Sequence, residues 1–269
     1  MTEELQLGRG LEVIDRGTCS EDHPAPLLFV HGAWHGAWCW ERFLDYFEGK
    51  GYRALSLSLR GHGASPPSER ARGGSLADYV DDVTSVIEGL PSAPVLIGHS
   101  LGGFIVQKYL ESNEAPAGVL VASAPPQGAR RFALSLMRRH PWLTARSFIT
   151  GDSLHGYNTQ TVARNLFFSE ATPESDVVRY AAMLCSESQR VSLDAVMPNR
   201  LKPERVTTPL LVLGAALDAC VTVTEVHDTA RAYRTEPEIF QGMGHNMMLE
   251  PEWAAVAERI HSWLTGRGL

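Results

Sequence analysis

A chain of 269 residues can bury a substantial core, and this length suits one large α/β unit carrying an insertion better than two independent domains. The formal net charge of −7 gives no electrostatic reason to expect nucleic acid or an anionic membrane surface as a partner. The four cysteines, Cys19, Cys39, Cys185 and Cys220, form no C-x-x-C pair and read as buried or incidental thiols, and no apolar leader or membrane-spanning run is evident, so a cytoplasmic location is expected.

In chain order, residues 11–15 can form an early strand and 19–26 a polar loop. Residues 26–30, Pro-Leu-Leu-Phe-Val, form a continuous apolar run, the pattern of a strand covered on both faces in a parallel sheet. This run leads into the loop His31-Gly32-Ala33-Trp34-His35-Gly36-Ala37-Trp38. A helix follows with Trp40, Phe43, Leu44 and Phe47 at helical spacing, ended by Gly49 and Gly51. Residues 54–59 form the next strand, and 60–67, Arg-Gly-His-Gly-Ala-Ser-Pro-Pro, the loop after it. Ser75 with Asp78 three positions on resembles a capping box and starts a helix that runs from Leu76 to about Gly89.

Residues 94–97 are a short apolar strand, and an amphipathic helix begins just past Ser100. Between them stands Gly98-x-Ser100-x-Gly102, the pattern of a nucleophile elbow in the strand-turn-helix context it requires. A strand that reverses into a helix within a few residues strains its central residue and tolerates only small neighbours, which Gly98, Gly102 and Gly103 provide. The alternative is a Gly/Ser turn with no chemistry. Another apolar strand covers 118–123.

The alternation of strand and helix then breaks. Between about 125 and 205, amphipathic helical segments such as 131–139 and 176–188 are separated by Pro141, Gly151, Gly156 and Pro173, with no strong strand. The alternation resumes with a strand at 209–214, a helix at 223–233, a strand at 236–240 and a last helix at 251–264, with Pro251 suited to its first turn. The organisation expected is a doubly wound, mostly parallel α/β core of residues 1–124 and 206–269, with a helical cap of residues 125–205 inserted into it.

A serine hydroxyl needs a base, and the base needs a partner that fixes its tautomer. Of ten histidines, His245 directly follows the last strand and precedes the last helix, which puts it on a loop at the same sheet edge as Ser100. His99 adjoins Ser100 but is expected to point elsewhere. His23, His140, His155, His227 and His261 read as surface or hydrogen-bonded rings. His31 and His35 lie four apart without the carboxylate of an H-E-x-x-H site, so no metal is expected. Asp218 follows the strand at 209–214 and is the candidate orienting acid, a turn or capping role being the alternative. The order Ser100, Asp218, His245 is that of α/β-hydrolases. The amides of Leu101 and Ala33 are candidate oxyanion donors, although His31-Gly32 also reads as a plain strand exit.

These pieces together resemble the α/β-hydrolase fold over nearly the whole chain apart from the cap. The resemblance rests on Val30-His31-Gly32-Ala33-Trp34, Leu59-Arg60-Gly61-His62-Gly63-Ala64-Ser65, Gly98-His99-Ser100-Leu101-Gly102-Gly103, Asp218, and Gly244-His245 followed by Leu249-Glu250-Pro251-Glu252. It implies Ser100 as nucleophile, His245 as base, Asp218 as orienter, and Ala33 and Leu101 as oxyanion donors. The His-Gly-Ala-Trp loop is also similar to that of methylesterases and hydroxynitrile lyases. The lyases carry a threonine where Gly32 stands and a lysine where Asn246 stands, so the esterase side of the resemblance is the closer. Dehalogenases and epoxide hydrolases use an aspartate nucleophile, against which Ser100 argues.

The expected reaction is acyl transfer from a small or medium apolar carboxylic ester, without cofactor, through an acyl-enzyme. Trp34, Phe104, Met137, Phe167 and Met183 are the expected substrate contacts, within a wider apolar set in the cap that includes Phe132, Leu136, Trp142, Phe168, Tyr180 and Leu184. Arg60 and His62 are expected to fix the loop below the cap. Cleavage of a carbon–carbon bond or a lactone with the same triad, a cofactor-free oxygenase, and a non-catalytic ligand receptor are the alternatives.

Overall fold

In the computed structural model, which describes residues 10–67, 73–151, 153–154, 156–197 and 201–269, the sheet grows outward from its most apolar strands. Every residue of β2 (Leu27–Val30), β3 (Ala54–Leu57), β4 (Val95–His99), β5 (Gly118–Val121) and β6 (Leu210–Ala215) is buried. Such strands tolerate no water on either face, so helices must cover both. Two less buried strands, β1 (Val13–Arg16) and β7 (Pro237–Phe240), close the edges of a seven-stranded sheet of order β1-β3-β2-β4-β5-β6-β7. Neighbouring strands are parallel except for β1, which pairs antiparallel with β3. The mostly parallel, doubly wound α/β reading of the sequence holds.

Helices α1 (Glu41–Gly49), α2 (Leu76–Glu88) and α3 (Leu101–Leu110) follow β2, β3 and β4 in turn. The capping box at the start of α2 forms as expected, Asp78 N donating to Ser75 Oγ at 3.3 Å and Ser75 N to Asp78 Oδ2 at 2.7 Å. Between β5 and β6 lie α4 (Arg130–Arg139), α5 (Pro141–Thr150), α6 (Gln160–Phe167), α7 (Glu174–Met183) and α8 (Gln189–Val196). The chain then completes α9 (Val223–Ala232), β7 and α10 (Trp253–Thr265). Phe29 of β2 packs on Trp40, Phe43 and Phe47, with ring centroids 5.0, 6.1 and 5.8 Å away, which explains the helical spacing of those aromatics.

Pro141 marks a break between helices as expected, α4 ending at Arg139, and it also opens α5, where its missing N–H costs nothing. Two local expectations change. The continuous helix expected over 176–188 ends at Met183, and residues 184–188 run extended before Ser188 caps α8. Tertiary bonds explain that break: Cys185 N donates to Trp34 O at 2.9 Å, and Glu187 turns its carboxylate inward. Finally, Pro251 precedes the last helix, which starts at Trp253, because Glu250 is tied to Gly244 and Ser169 instead. No described helix is long and apolar enough to cross a membrane.

Candidate active site

The strand order reverses between β2 and β4, the place where parallel sheets open a crevice at their carboxyl ends. Val30 lies opposite Gly98 in the ladder, so the loops leaving the two strands start at the same height, side by side. One loop carries Ala33 and Trp34, the other Ser100. Ser100 adopts φ 51° and ψ −116°, a strained conformation for a non-glycine residue, worth roughly 1–3 kcal/mol. The glycine spacing makes it tolerable: a Cβ on Gly98 would stand 2.6 Å from Gly102 O and Gly103 Cα. Gly32 is equally constrained, its would-be Cβ 2.8 Å from His99 Nδ1 and 2.9 Å from Ser100 Cβ, so the threonine of hydroxynitrile lyases has no room here.

His245 stands on the turn after β7 and Asp218 on the turn after β6, and their side chains meet: Nδ1 of His245 lies 2.8 Å from Asp218 Oδ2. Asp218 Oδ1 accepts from the amides of Cys220 (2.7 Å) and Val221 (2.8 Å), so the carboxylate is fixed from both sides. With Nδ1 donating to the carboxylate, Nε2 is the lone-pair nitrogen. Ser100, Leu101, Ala33 and His245 all line one cavity of about 320 Å³. Among the described residues His245 is hydrogen-bonded to Asp218, and no hydrogen bond joins it to Ser100 Oγ. Catalytic hydrogen bonds commonly shorten only when substrate arrives.

The peptide that carries the candidate Ala33 amide is held by a histidine that sequence reasoning left without a role. Leu101 opens α3, where the first amides have no partner within the helix. The Ala33 amide belongs to the Gly32–Ala33 peptide, whose carbonyl receives His31 Nδ1 at 2.8 Å and the His35 amide at 3.3 Å. A trans peptide points its N–H opposite its C=O, so holding the Gly32 carbonyl turns the Ala33 N–H the other way. His31 Nε2 in turn accepts from Leu59 N at 3.0 Å, and His35 Nδ1 is 2.7 Å from Ala33 O. Burial, then neighbouring imidazoles, lowers the pKa of His31 and His99 well below the ordinary range, and burial brings His35 to about 4. These rings are therefore neutral orienting groups. His99 Nε2 lies 3.0 Å from His245 O.

The cavity wall is mostly apolar. Trp34, Met137 and Phe167 line it as expected, joined by Phe132, Leu136 and Tyr157. Phe104 does not: it is fully buried in the core, because its place on α3 turns it toward the sheet. Met183 does not either; Val177, Tyr180, Ala181 and Leu184 form the buried face around α7, leaving Met183 on the other side, 42% exposed. Of the wider set, Trp142 faces solvent and Phe168 stacks on Tyr180 at 5.8 Å. Arg60 holds its loop as expected, through Asp82 (Nε to Oδ1, 3.0 Å) and Asp78 (3.5 Å). His62 reaches into the helical insertion, Nε2 3.3 Å from Glu187 Oε2. His155 lies outside the described residues.

Among the described residues, one group of possible metal donors, Asp218, Cys220 and His245, gathers within 4.8 Å. Two of them already bind each other, and burial pushes the Cys220 thiol well above its ordinary pKa. That donor set suits an acid–base pair better than a cation.

A family model described as "Alpha/beta hydrolase family" matches residues 27–259. The rice (Oryza sativa subsp. indica) protein named Probable esterase PIR7A is 34% identical over 128 residues, 44% of this chain and 48% of that protein. A non-heme chloroperoxidase from Burkholderia pyrrocinia is 36% identical over 107 residues, 38% of each chain. The chain thus spans under half the length of these curated relatives. Among solved structures, a monoacylglycerol lipase from Paleococcus ferrophilus superposes with TM-score 0.72 at 22% identity, covering 96% of this chain and 99% of the other, a likeness of fold. With the sheet order, the strained serine turn and a family match that spans most of its length, the chain belongs to the α/β-hydrolase family.

Proposed function

We propose that the chain is a serine hydrolase that cleaves a small or medium apolar carboxylic ester. The observation that carries this reading is the 2.8 Å hydrogen bond from Asp218 to His245, a histidine that lines the same apolar cavity as the strained Ser100. Ester cleavage is also in keeping with the name of the rice relative.

In this reading Ser100 Oγ attacks the ester carbonyl carbon while His245 Nε2 takes its proton. The amides of Ala33 and Leu101 hold the oxyanion. The imidazolium then gives the proton to the departing alkoxide, and water repeats the attack on the acyl-enzyme with His245 again as base. Asp218 keeps Nε2 unprotonated at the start of each half-reaction. The helices over 125–205 act as a cap, with Trp34, Met137 and Phe167 against the apolar part of the ester.

A fluorophosphonate probe should label the wild type and leave Ser100→Ala unlabelled. Hydrolysis of p-nitrophenyl esters by Ser100→Ala should fall by on the order of a thousandfold or more. Labelling of Ser100→Ala, or its undiminished hydrolysis, would defeat the assignment.

A further inference from the structure

The whole-chain charge conceals a local reversal. Between Glu114 and Asp152 the sequence holds no acidic residue but five arginines, Arg130, Arg131, Arg138, Arg139 and Arg146, in a chain of net charge −7. All five are on α4 and α5 and exposed. Arg131 pairs with Glu225 and Arg130 donates to Val196 O, whereas Arg138, Arg139 and Arg146 form no ion pair among the described residues.

The same outer face is apolar where a water-facing helix should be polar. On α5, Trp142, Ala145, Arg146 and Ile149 stand at i, i+3, i+4 and i+7 and are all exposed, Trp142 to 85% and Ile149 to 84%. On α4, Leu134 and Met137, each 50% exposed, adjoin Arg138. The opposite faces of these helices, through Phe132, Leu136 and Thr144, line the cavity. Met137 is both exposed and cavity-lining, which sets the cavity's apolar wall next to the outer face.

Large apolar side chains flanked by unpaired arginines match the chemistry of an anionic lipid surface, with apolar tips seated among acyl chains and guanidinium groups at the phosphates. A nucleic acid would reward the arginines but not Ile149 or Leu134. We propose that the outer face of α4 and α5 docks reversibly on an anionic lipid surface, without spanning it, and so sets the cavity mouth against the apolar phase. The proposal departs from the expectation drawn from net charge, because it rests on the charge of one face and not on that of the whole chain.

Sedimentation of the intact protein with phosphatidylcholine vesicles, with and without phosphatidylglycerol, tests this. The wild type should bind the anionic vesicles, lose them as salt rises, and leave the zwitterionic ones. Arg138→Gln/Arg139→Gln should weaken anionic binding by roughly 25-fold, about fivefold per arginine. Trp142→Ser/Ile149→Ser should weaken it comparably with every arginine in place. None of these four side chains lines the cavity, so hydrolysis of a soluble short-chain ester and the circular dichroism spectrum should match the wild type. No vesicle binding, equal binding to both vesicle types, or binding untouched by Trp142→Ser/Ile149→Ser would overturn the proposal. So would concentration-dependent self-association, without vesicle binding, that both variants abolish.

Discussion

Both carboxylate oxygens of Asp218 are occupied, Oδ1 by the Cys220 and Val221 amides and Oδ2 by His245. The turn contacts and the contact to His245 are therefore made by one side chain at once, and the proposed mechanism gives that side chain the orienting role. Asp218→Asn can keep the turn by presenting its oxygen to the two amides, but its NH₂ would then face His245 Nδ1 and reverse the tautomer. We expect kcat for p-nitrophenyl esters to fall by on the order of 10³–10⁴ while the unfolding midpoint in urea shifts little. A loss of stability matching the loss of activity would count against that division. His31 and His35 show the limit of residue-level reading. Their types were visible, but which carbonyl each ring holds, Gly32 O for His31 and Ala33 O for His35, depends on where Leu59 N and Asn246 Nδ2 arrive from elsewhere in the fold.

At the scale of elements, the loop bearing His245 is fastened to the helices between β5 and β6. Glu250, buried, accepts from Gly244 N (2.9 Å) and Ser169 N (2.6 Å) through Oε1, and from Ser169 Oγ (2.7 Å) and Thr172 Oγ1 (2.8 Å) through Oε2. Asn246 N adds a bond to Phe167 O at 2.9 Å. Glu250→Ala would leave several buried donors unsatisfied, so a destabilisation of about 3 kcal/mol in urea unfolding is expected. The Glu250→Gln variant, which keeps one acceptor and lets the hydroxyls rotate, should lie between it and the wild type. Equal stability of all three would show that this carboxylate does not anchor the loop. Glu250 was in view as part of Leu249-Glu250-Pro251-Glu252, but the sequence offers no sign that its partners lie near residue 170.

For the whole molecule, the joint between insertion and sheet has a pH dependence. Burial favours a neutral His62, yet the charge of the Glu187 carboxylate 3.3 Å away outweighs that, and the pKa rises above its ordinary 6.5. Burial likewise works against the Glu187 carboxylate, but His62, the Tyr79 hydroxyl at 2.6 Å and the Ser188 amide lower its pKa below 4.5. The histidine's contribution is complete below its unfolded pKa and lost as pH rises through the folded one. The glutamate's is present above its unfolded pKa and lost as pH falls through its lowered folded one. The stability gap between wild type and Glu187→Gln should therefore be widest between about pH 5 and 6.5 and narrow on either side. A gap constant with pH in denaturant titrations would rule this pair out as the source.

The sequence by itself determined the sheet, the turn and the chain order of Ser100, Asp218 and His245. Apolar runs buried on both faces have few alternatives to a parallel sheet, and the glycines around Ser100 leave its strained backbone little other use. Only the tertiary structure decided which side chains face the cavity, as Phe104 and Met183 against Phe132 and Tyr157 illustrate, and where the helix expected over 176–188 ends. The physical reason is range: periodicity and turn chemistry act between neighbours in the chain. Facing direction and buried polar contacts are set by groups that can lie a hundred or more residues away, such as Glu187 against Tyr79.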